Sequence, residues 1–247
     1  LQQHEYIALQ RVEREHWFYK GKRELVLWWL RNTVGKPKPG ELLLDAGAGT
    51  GEFVKELRSN FPGAQVRGIE YESTARAIAQ EMNSVILEEG SILDLPVVTS
   101  SALLATALDV LEHVEDDTRA LNELIRVTKK GGVIITNVPA SPLLWSDWDV
   151  TLGHHRRYTM ASFKELLLSS TGEFEVVHLA YINSLVFLPV LAVRAYGRFF
   201  KRSTRMEDKI PPQWLNRFLK ASFTGPARWK WFRPPFGVSI FCVLRKR

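Results

Sequence analysis

The sequence predicts an α/β fold, a mostly parallel sheet with helices on both faces joined by right-handed crossovers. Three observations carry that expectation. Short apolar runs of strand length alternate regularly with segments whose apolar residues recur every three or four positions. Glycines at alternate positions, Gly47, Gly49 and Gly51, link the first apolar run to the helix that follows it. The 247 residues are 45% hydrophobic and 24% charged, the balance of an ordinary globular chain long enough to bury a core.

Residues Glu5 to Arg31 carry a helical apolar period without proline, and Gly21 is the point at which it is expected to break in two. Pro37 and Pro39, between Gly35 and Gly40, end that unit. Glu41 to Asp45, with Leu42, Leu43 and Leu44, reads as a first strand whose continuous apolar character suits burial on both faces. A helix at Phe53 to Ser59, a strand at Gln65 to Ile69, a helix at Thr74 to Asn83 and a strand at Val85 to Leu87 follow. Next come a strand at Ala102 to Ala107, a helix from Asp117 to Lys129 closed by Gly131 and Gly132, and a strand at Val133 to Val138. Thr159 caps a helix running to Ser170 and leading to a strand at Phe174 to Leu179, and Val238 to Leu244 is the last strand. The stretch between these two strands far exceeds an ordinary loop and predicts an inserted unit.

A single cysteine, Cys242, excludes an internal disulfide framework and a cysteine-rich zinc site, which favours a reducing compartment. No apolar run reaches the roughly 18 to 20 residues that span a bilayer, and the amino terminus shows no basic segment followed by an apolar one. The expectation is a cytoplasmic chain, neither secreted nor transmembrane. The formal charge of +6 is unevenly spread: from Arg194 to Arg247 there are 14 Lys and Arg against Glu207 and Asp208, a net +12, which leaves −6 on residues 1–193. Trp214, Trp229 and Trp231 lie in the same basic stretch, after the apolar run Leu185 to Val193. That combination suits an anionic membrane surface or a polyanion.

Leu42 to Phe53 passes from strand to helix through a glycine turn that allows close backbone approach to a ligand. Glu70, 19 residues beyond Gly51 at the predicted end of the second strand, can accept hydrogen bonds from both hydroxyls of a ribose. The dinucleotide fingerprint is G-x-G-x-x-G, built for a pyrophosphate. Here the spacing is G-x-G-x-G, and Glu52 with Asp45 makes the rim acidic, which suits a cofactor with an ammonium and no phosphate.

With Asp45 to Gly51, Glu70, Gly90 to Pro96, Asp109 to Val114, and Arg126-Val127 through Gly131-Gly132, the chain resembles the class I S-adenosylmethionine-dependent methyltransferases. The resemblance covers roughly residues 14–183 and 236–247. It implies a Rossmann-like seven-stranded sheet with its last strand antiparallel, and S-adenosyl-L-methionine as cofactor. It also implies that Asp45, Gly47, Gly49 and Gly51 line the methionine end, that Glu70 holds the ribose, and that Ser91 and Ile92 flank the adenine. Asp109 is grouped with these cofactor-binding residues. Many relatives carry Asp where Ser91 stands, so the adenine contact differs here. His16 to Arg23 resembles a segment that relatives use as a lid, with Arg23 placed to pair with the cofactor carboxylate. The expected organisation is a helical lid and linker over 1–40, a cofactor-binding core over 41–183, a basic and aromatic helical insertion over 184–236, and a last core strand over 237–247.

On the acceptor side, the segment from Pro139 to Thr159 leaves the carboxyl end of a central strand, where an acceptor must approach. His113, His154 and His155 are the candidate bases for removing its proton. Asp109, Glu112 and His113, completed by His154 or His155, resemble the mixed shell of small-RNA 2′-O-methyltransferases. The Glu-His pair also occurs in relatives not known to need metal, so the sequence requires no metal ion. The insertion after Tyr181 to Ser184 resembles that of methyltransferases of bacterial glycan and lipid pathways. The favoured expectation is methyl transfer to oxygen or nitrogen of a small or lipid-linked acceptor, with the insertion at the acceptor or an anionic membrane surface. An RNA methyltransferase using the basic insertion is the alternative, with nucleic acid the less favoured partner, and a cofactor-binding protein without catalysis is a third.

Overall fold

A computed structural model describes residues 10–200 and 209–247. The first part of the expected amino-terminal helix and the basic cluster Lys201, Arg202 and Arg205 lie outside the described residues. Helical backbone at residues 10–15 stops at His16, whose extended conformation (ψ 135°) and side chain cap helix α1, Trp17–Thr33. The break therefore falls at His16, and Gly21 lies inside α1. A Cβ on Gly21 would fall 2.3 Å from the Phe223 ring, so the glycine serves close helix packing.

The strands are β1 (Leu42–Ala46), β2 (Gln65–Glu70), β3 (Glu88–Glu89), β4 (Ala102–Leu108), β5 (Thr128–Pro139), β6 (Phe174–Ile182) and β7 (Ser239–Lys246). They form one sheet in the order β3-β2-β1-β4-β5-β7-β6. Pairings from β3 to β5 are parallel, and β7 runs antiparallel between β5 and β6. Helices α2 (Glu52–Asn60), α3 (Ser73–Asn83) and α4 (Asp117–Val127) make the crossovers. The short helix α5 (Asp147–Thr151) and α6 (Met160–Ser169) follow β5, and Thr159 caps α6 by accepting from the Ser162 amide. The insertion contributes α7 (Phe187–Phe200) and α8 (Gln213–Ala227).

Several boundaries differ from the sequence expectation, two of them for reasons of packing and pairing. Val85 and Leu87 are buried against Ala48, Val54 and Ala79, but ladder pairing starts only at Glu88. Their apolar character serves packing beneath the glycine loop. Helix α4 ends at Val127, because Thr128 already pairs with Ala102. The next pairs begin at Leu104 with Val133, so residues 129–132 bulge out with Gly131 at φ +76°, and the glycines make a bulge instead of a helix cap.

One face of the sheet buries Leu121, Leu124, Phe163 and Leu166, the other Leu25, Trp29, Leu30 and Phe223. Helix α8 is fastened to α1: Trp29 Nε1 donates to the Ala227 carbonyl at 3.2 Å, and the Trp17 amide donates to Asn216 Oδ1 at 2.8 Å. The insertion thus shares a core with the amino-terminal helix. Connections diverge between β1 and β4, which opens a crevice at the carboxyl ends of the strands. Among the described residues, no helix is long and apolar enough to cross a membrane.

Candidate active site

A cavity of about 970 Å³ occupies that crevice. Its first half is built by the loop after β1. Gly47, Gly49 and Gly51 all have left-handed backbone, at φ +75°, +53° and +76°. The Gly49 amide donates to Glu70 Oε2 at 2.7 Å, and the Glu72 amide donates to Oε1 at 2.9 Å, so the Glu70 carboxylate is fixed at the end of β2. Gly47, Gly49, Glu70, Ser91 and Ile92 all line the cavity. Gly51 does not; it precedes α2, and a Cβ there would meet Ala79 and Val85 at 3.2 Å.

Asp45 also lines the cavity, is 3% exposed, and accepts from the Thr106 hydroxyl at 2.7 Å. Burial pushes its carboxyl up to about 7, the Thr106 hydrogen bond opposes that, and the neighbouring Glu70 and Glu13 add to it. Arg23 borders the same space, with Nε on Glu56 at 2.9 Å and a terminal nitrogen on the Glu13 carbonyl at 2.7 Å. The Thr50 hydroxyl donates to the Glu13 carboxylate, and Gln10 reaches Asn83 at 3.3 Å, so residues 10–23 cover the glycine loop. Glu13 escaped the sequence reading because nothing in the local pattern places it opposite Thr50.

The second half is formed where β4, β5 and β6 end. Asp109 leaves β4 at φ +58°, a conformation Asp tolerates, and turns the chain across the crevice. It accepts from Lys22 Nζ and from Asn137 Nδ2 at 2.5 Å. Glu112 and His113 sit on the short turn that follows. Their partner His154 comes from the loop after α5, with ring centroids 4.6 Å apart and planes at 85°. Partial loss of hydration at the cavity rim, where His113 is still exposed, and the neighbouring His154 ring push it down to about 4. His155 is exposed and outside the cavity wall, its amide tied to the Glu112 carbonyl, so the structure brings together two of the three histidines.

Asp149 organises this half, although the sequence did not single it out. It is fully buried and contacts His154 Nδ1 at 2.9 Å, Arg157 Nε at 2.6 Å and an Arg194 terminal nitrogen at 2.9 Å. Burial alone would raise its carboxyl, but the His154 and Arg157 hydrogen bonds and the two guanidinium charges outweigh it and hold the group well below the usual range. Val186, Val190 and Arg194, four residues apart on or beside α7, add one wall. Asn183, at φ +62° and 4% exposed, lines the cavity with neither side-chain polar atom hydrogen-bonded. Along the whole lining, carboxylates outnumber Lys and Arg by eight to four. A cationic ligand with ribose hydroxyls fits this donor set, since Glu70 retains acceptor lone pairs and the loop leaves no Cβ in the way.

Residues 44–136 match the family described as Methyltransferase domain. A protein of Mycolicibacterium smegmatis named as a probable S-adenosylmethionine-dependent methyltransferase is 28% identical over 168 residues, 67% of this chain and 62% of that protein. A demethylmenaquinone methyltransferase of Staphylococcus aureus is 27% identical over 59% of this chain and 62% of its own length. The chain thus spans less than two thirds of these curated relatives. Among solved structures, a geranyl diphosphate C-methyltransferase of Streptomyces coelicolor superposes with a TM-score of 0.58 at 13% identity, over 93% of this chain and 76% of that one, which establishes shared fold. Sheet order, glycine loop and family match together make residues 44–136 a class I S-adenosylmethionine-dependent methyltransferase domain, with S-adenosylmethionine as its cofactor.

Proposed function

We propose that the whole chain is a methyltransferase acting on an oxygen or nitrogen of a small or lipid-linked acceptor, at the cytoplasmic side of a membrane. The observation that supports it most is the single cavity, which joins the Gly47, Gly49 and Glu70 wall to the His113 and His154 wall. S-adenosylmethionine, when bound, supplies an electrophilic methyl group. The protein's own part is to align the two partners, exclude water with residues 10–23, and take the acceptor's proton at the Glu112, His113 and His154 cluster. The side of α7 that bears Val190 offers the acceptor an apolar wall. The acidic lining argues against a polyanionic acceptor and so against the RNA alternative.

The outer surface of the insertion supports a membrane partner. Trp214, Arg217 and Phe218 share the exposed side of α8, with Trp214 71% exposed, and the exposed Trp231 stacks on Trp229 at 5.2 Å beside Lys230 and Arg233. Each basic group near an anionic surface contributes about 1 kcal/mol, and the aromatic rings add a salt-resistant share. The protein is expected to co-sediment with phosphatidylglycerol vesicles more than with neutral ones, and Trp214→Ala with Arg217→Gln should reduce that. Incubation with methyl-labelled S-adenosylmethionine and separate lipid, small-molecule and RNA fractions tests the acceptor. Label in either of the first two supports the proposal; label confined to RNA, or in no fraction, rejects it.

Asp45 gives a pH test of the cofactor half. Its folded carboxyl is raised to about 7 against about 4 unfolded, so without ligand its stability contribution is fully present below pH 4 and is lost as pH rises through 7. A cationic ligand favours the ionised form, which reverses the slope for binding. S-adenosylmethionine affinity is expected to be about fivefold higher at pH 7 than at pH 6, with proton release seen by calorimetry in buffers of different ionisation heat. Equal affinity at both pH values would show that Asp45 does not titrate with binding.

A further inference from the structure

The acceptor half contains a buried carboxyl group that the protein leaves without a partner. Glu112 is 0% exposed, and neither of its carboxylate oxygens has a hydrogen-bond partner. A buried carboxylate without a partner is costly and calls for a counter-ion or another explanation. The neighbouring cations are committed elsewhere: Lys22 to Asp109, and Arg157 and Arg194 to Asp149. One ligand atom from each of Glu112, His113 and His154 lies within 4.8 Å of the others.

We propose that Glu112, His113 and His154 bind one divalent transition-metal ion, of the Mn²⁺, Fe²⁺, Co²⁺ or Zn²⁺ class. Two imidazoles and one carboxylate suit such ions and leave coordination positions open. All three residues line the cavity, so the open positions face the space assigned to the acceptor. The rings are oriented for this task. Asp149, ion-paired with two arginines, is a carboxylate and only accepts; His154 Nδ1 at 2.9 Å is therefore the donor, which makes Nε2 the nitrogen that would hold an ion. That is the carboxylate–histidine–metal arrangement. The Leu152 backbone lies beside His113. Asp109 is not a ligand, because Lys22 and Asn137 take its two oxygens, and the exposed His155 lies off the cavity. The ion would tie the turn after β4 to the loop after α5, and by polarising an acceptor hydroxyl or amine there it would replace direct proton transfer to these three side chains, whose lone pairs it occupies. This role rests on the proposed methyl transfer, whereas the binding of the ion does not.

The test is titration of the chelator-treated 247-residue protein with Co²⁺, without cofactor or acceptor, followed by visible absorption and calorimetry. One equivalent should bind with ligand-field bands, and Zn²⁺ should displace it. Glu112→Gln and His113→Ala should each abolish the bands, and Asp149→Asn, which disturbs the orientation of His154, should weaken binding by about 10- to 100-fold. Circular dichroism and S-adenosylmethionine titration of each variant verify folding, and the surface position of His113 keeps one ligand variant usable if the others misfold. Absence of a saturable equivalent at micromolar Co²⁺, or bands unchanged in His113→Ala, overturns the site. Cofactor binding without Co²⁺ binding rejects the metal alone, while Co²⁺ binding without cofactor binding or methyl transfer rejects the proposed function alone.

Discussion

Replacing Asp149 with alanine is expected to lower the unfolding free energy by about 3–5 kcal/mol, the cost of stranding buried charges. Arg157 and Arg194 would each lose the carboxylate beside them, and His154 would lose the partner that fixes its ring. At about 2–4 °C per kcal/mol for a chain of this size, the midpoint should fall by roughly 6–20 °C. Asp149 bridges the loop after β5 and α7, so the acceptor half should loosen first and protease sensitivity should rise near residues 141–157. The glycine loop lies on the other side of the crevice, and S-adenosylmethionine affinity below the transition should stay near the wild-type value. Thermal unfolding with a parallel titration checks both; an unchanged midpoint would mean that the buried network contributes little.

Gly47→Val is expected to remove detectable cofactor binding. A side chain at φ +75° costs on the order of 1–2 kcal/mol, and the new Cβ would fall 2.5 Å from Val110 Cγ2. Relief requires Val110 to move, and with it the adjacent Asp109 turn that separates the two halves of the cavity. At Gly49 the space is open except for Glu13 Oε1 at 3.7 Å, so Gly49→Ala carries only the backbone cost and should bind more weakly, not fail. Calorimetric titration of the two variants distinguishes steric closure from backbone strain. Equal affinities for Gly47→Val and wild type would show that the loop does not border the ligand.

The central sheet was legible because β1, β4 and β5 are apolar runs with little competing pattern, and the glycine loop with Glu70 marked the cofactor side. Where the local pattern had two explanations, it misled. Val85 and Leu87 are apolar for packing, not pairing, and Gly131 serves a bulge where a helix end was expected. Gly21 reads as a helix breaker, but its role is set by Phe223, 202 residues away in the sequence. The acceptor half was legible only in pieces. His113 and His154 are visible as histidines, but their meeting depends on the path of the loop after β5. Asp149 is one acidic residue among many until Arg194, 45 positions later, folds back onto it.

The most direct measurement is calorimetric titration of the full chain with S-adenosylmethionine, beside Glu70→Ala. Glu70 is held by the Gly49 and Glu72 amides at the end of β2, so alanine removes the acceptors without disturbing the core. The wild-type protein should bind one equivalent, and Glu70→Ala should lose roughly 1.5–3 kcal/mol, about 10- to 150-fold in affinity. A wild-type titration with neither heat nor thermal shift would contradict the account.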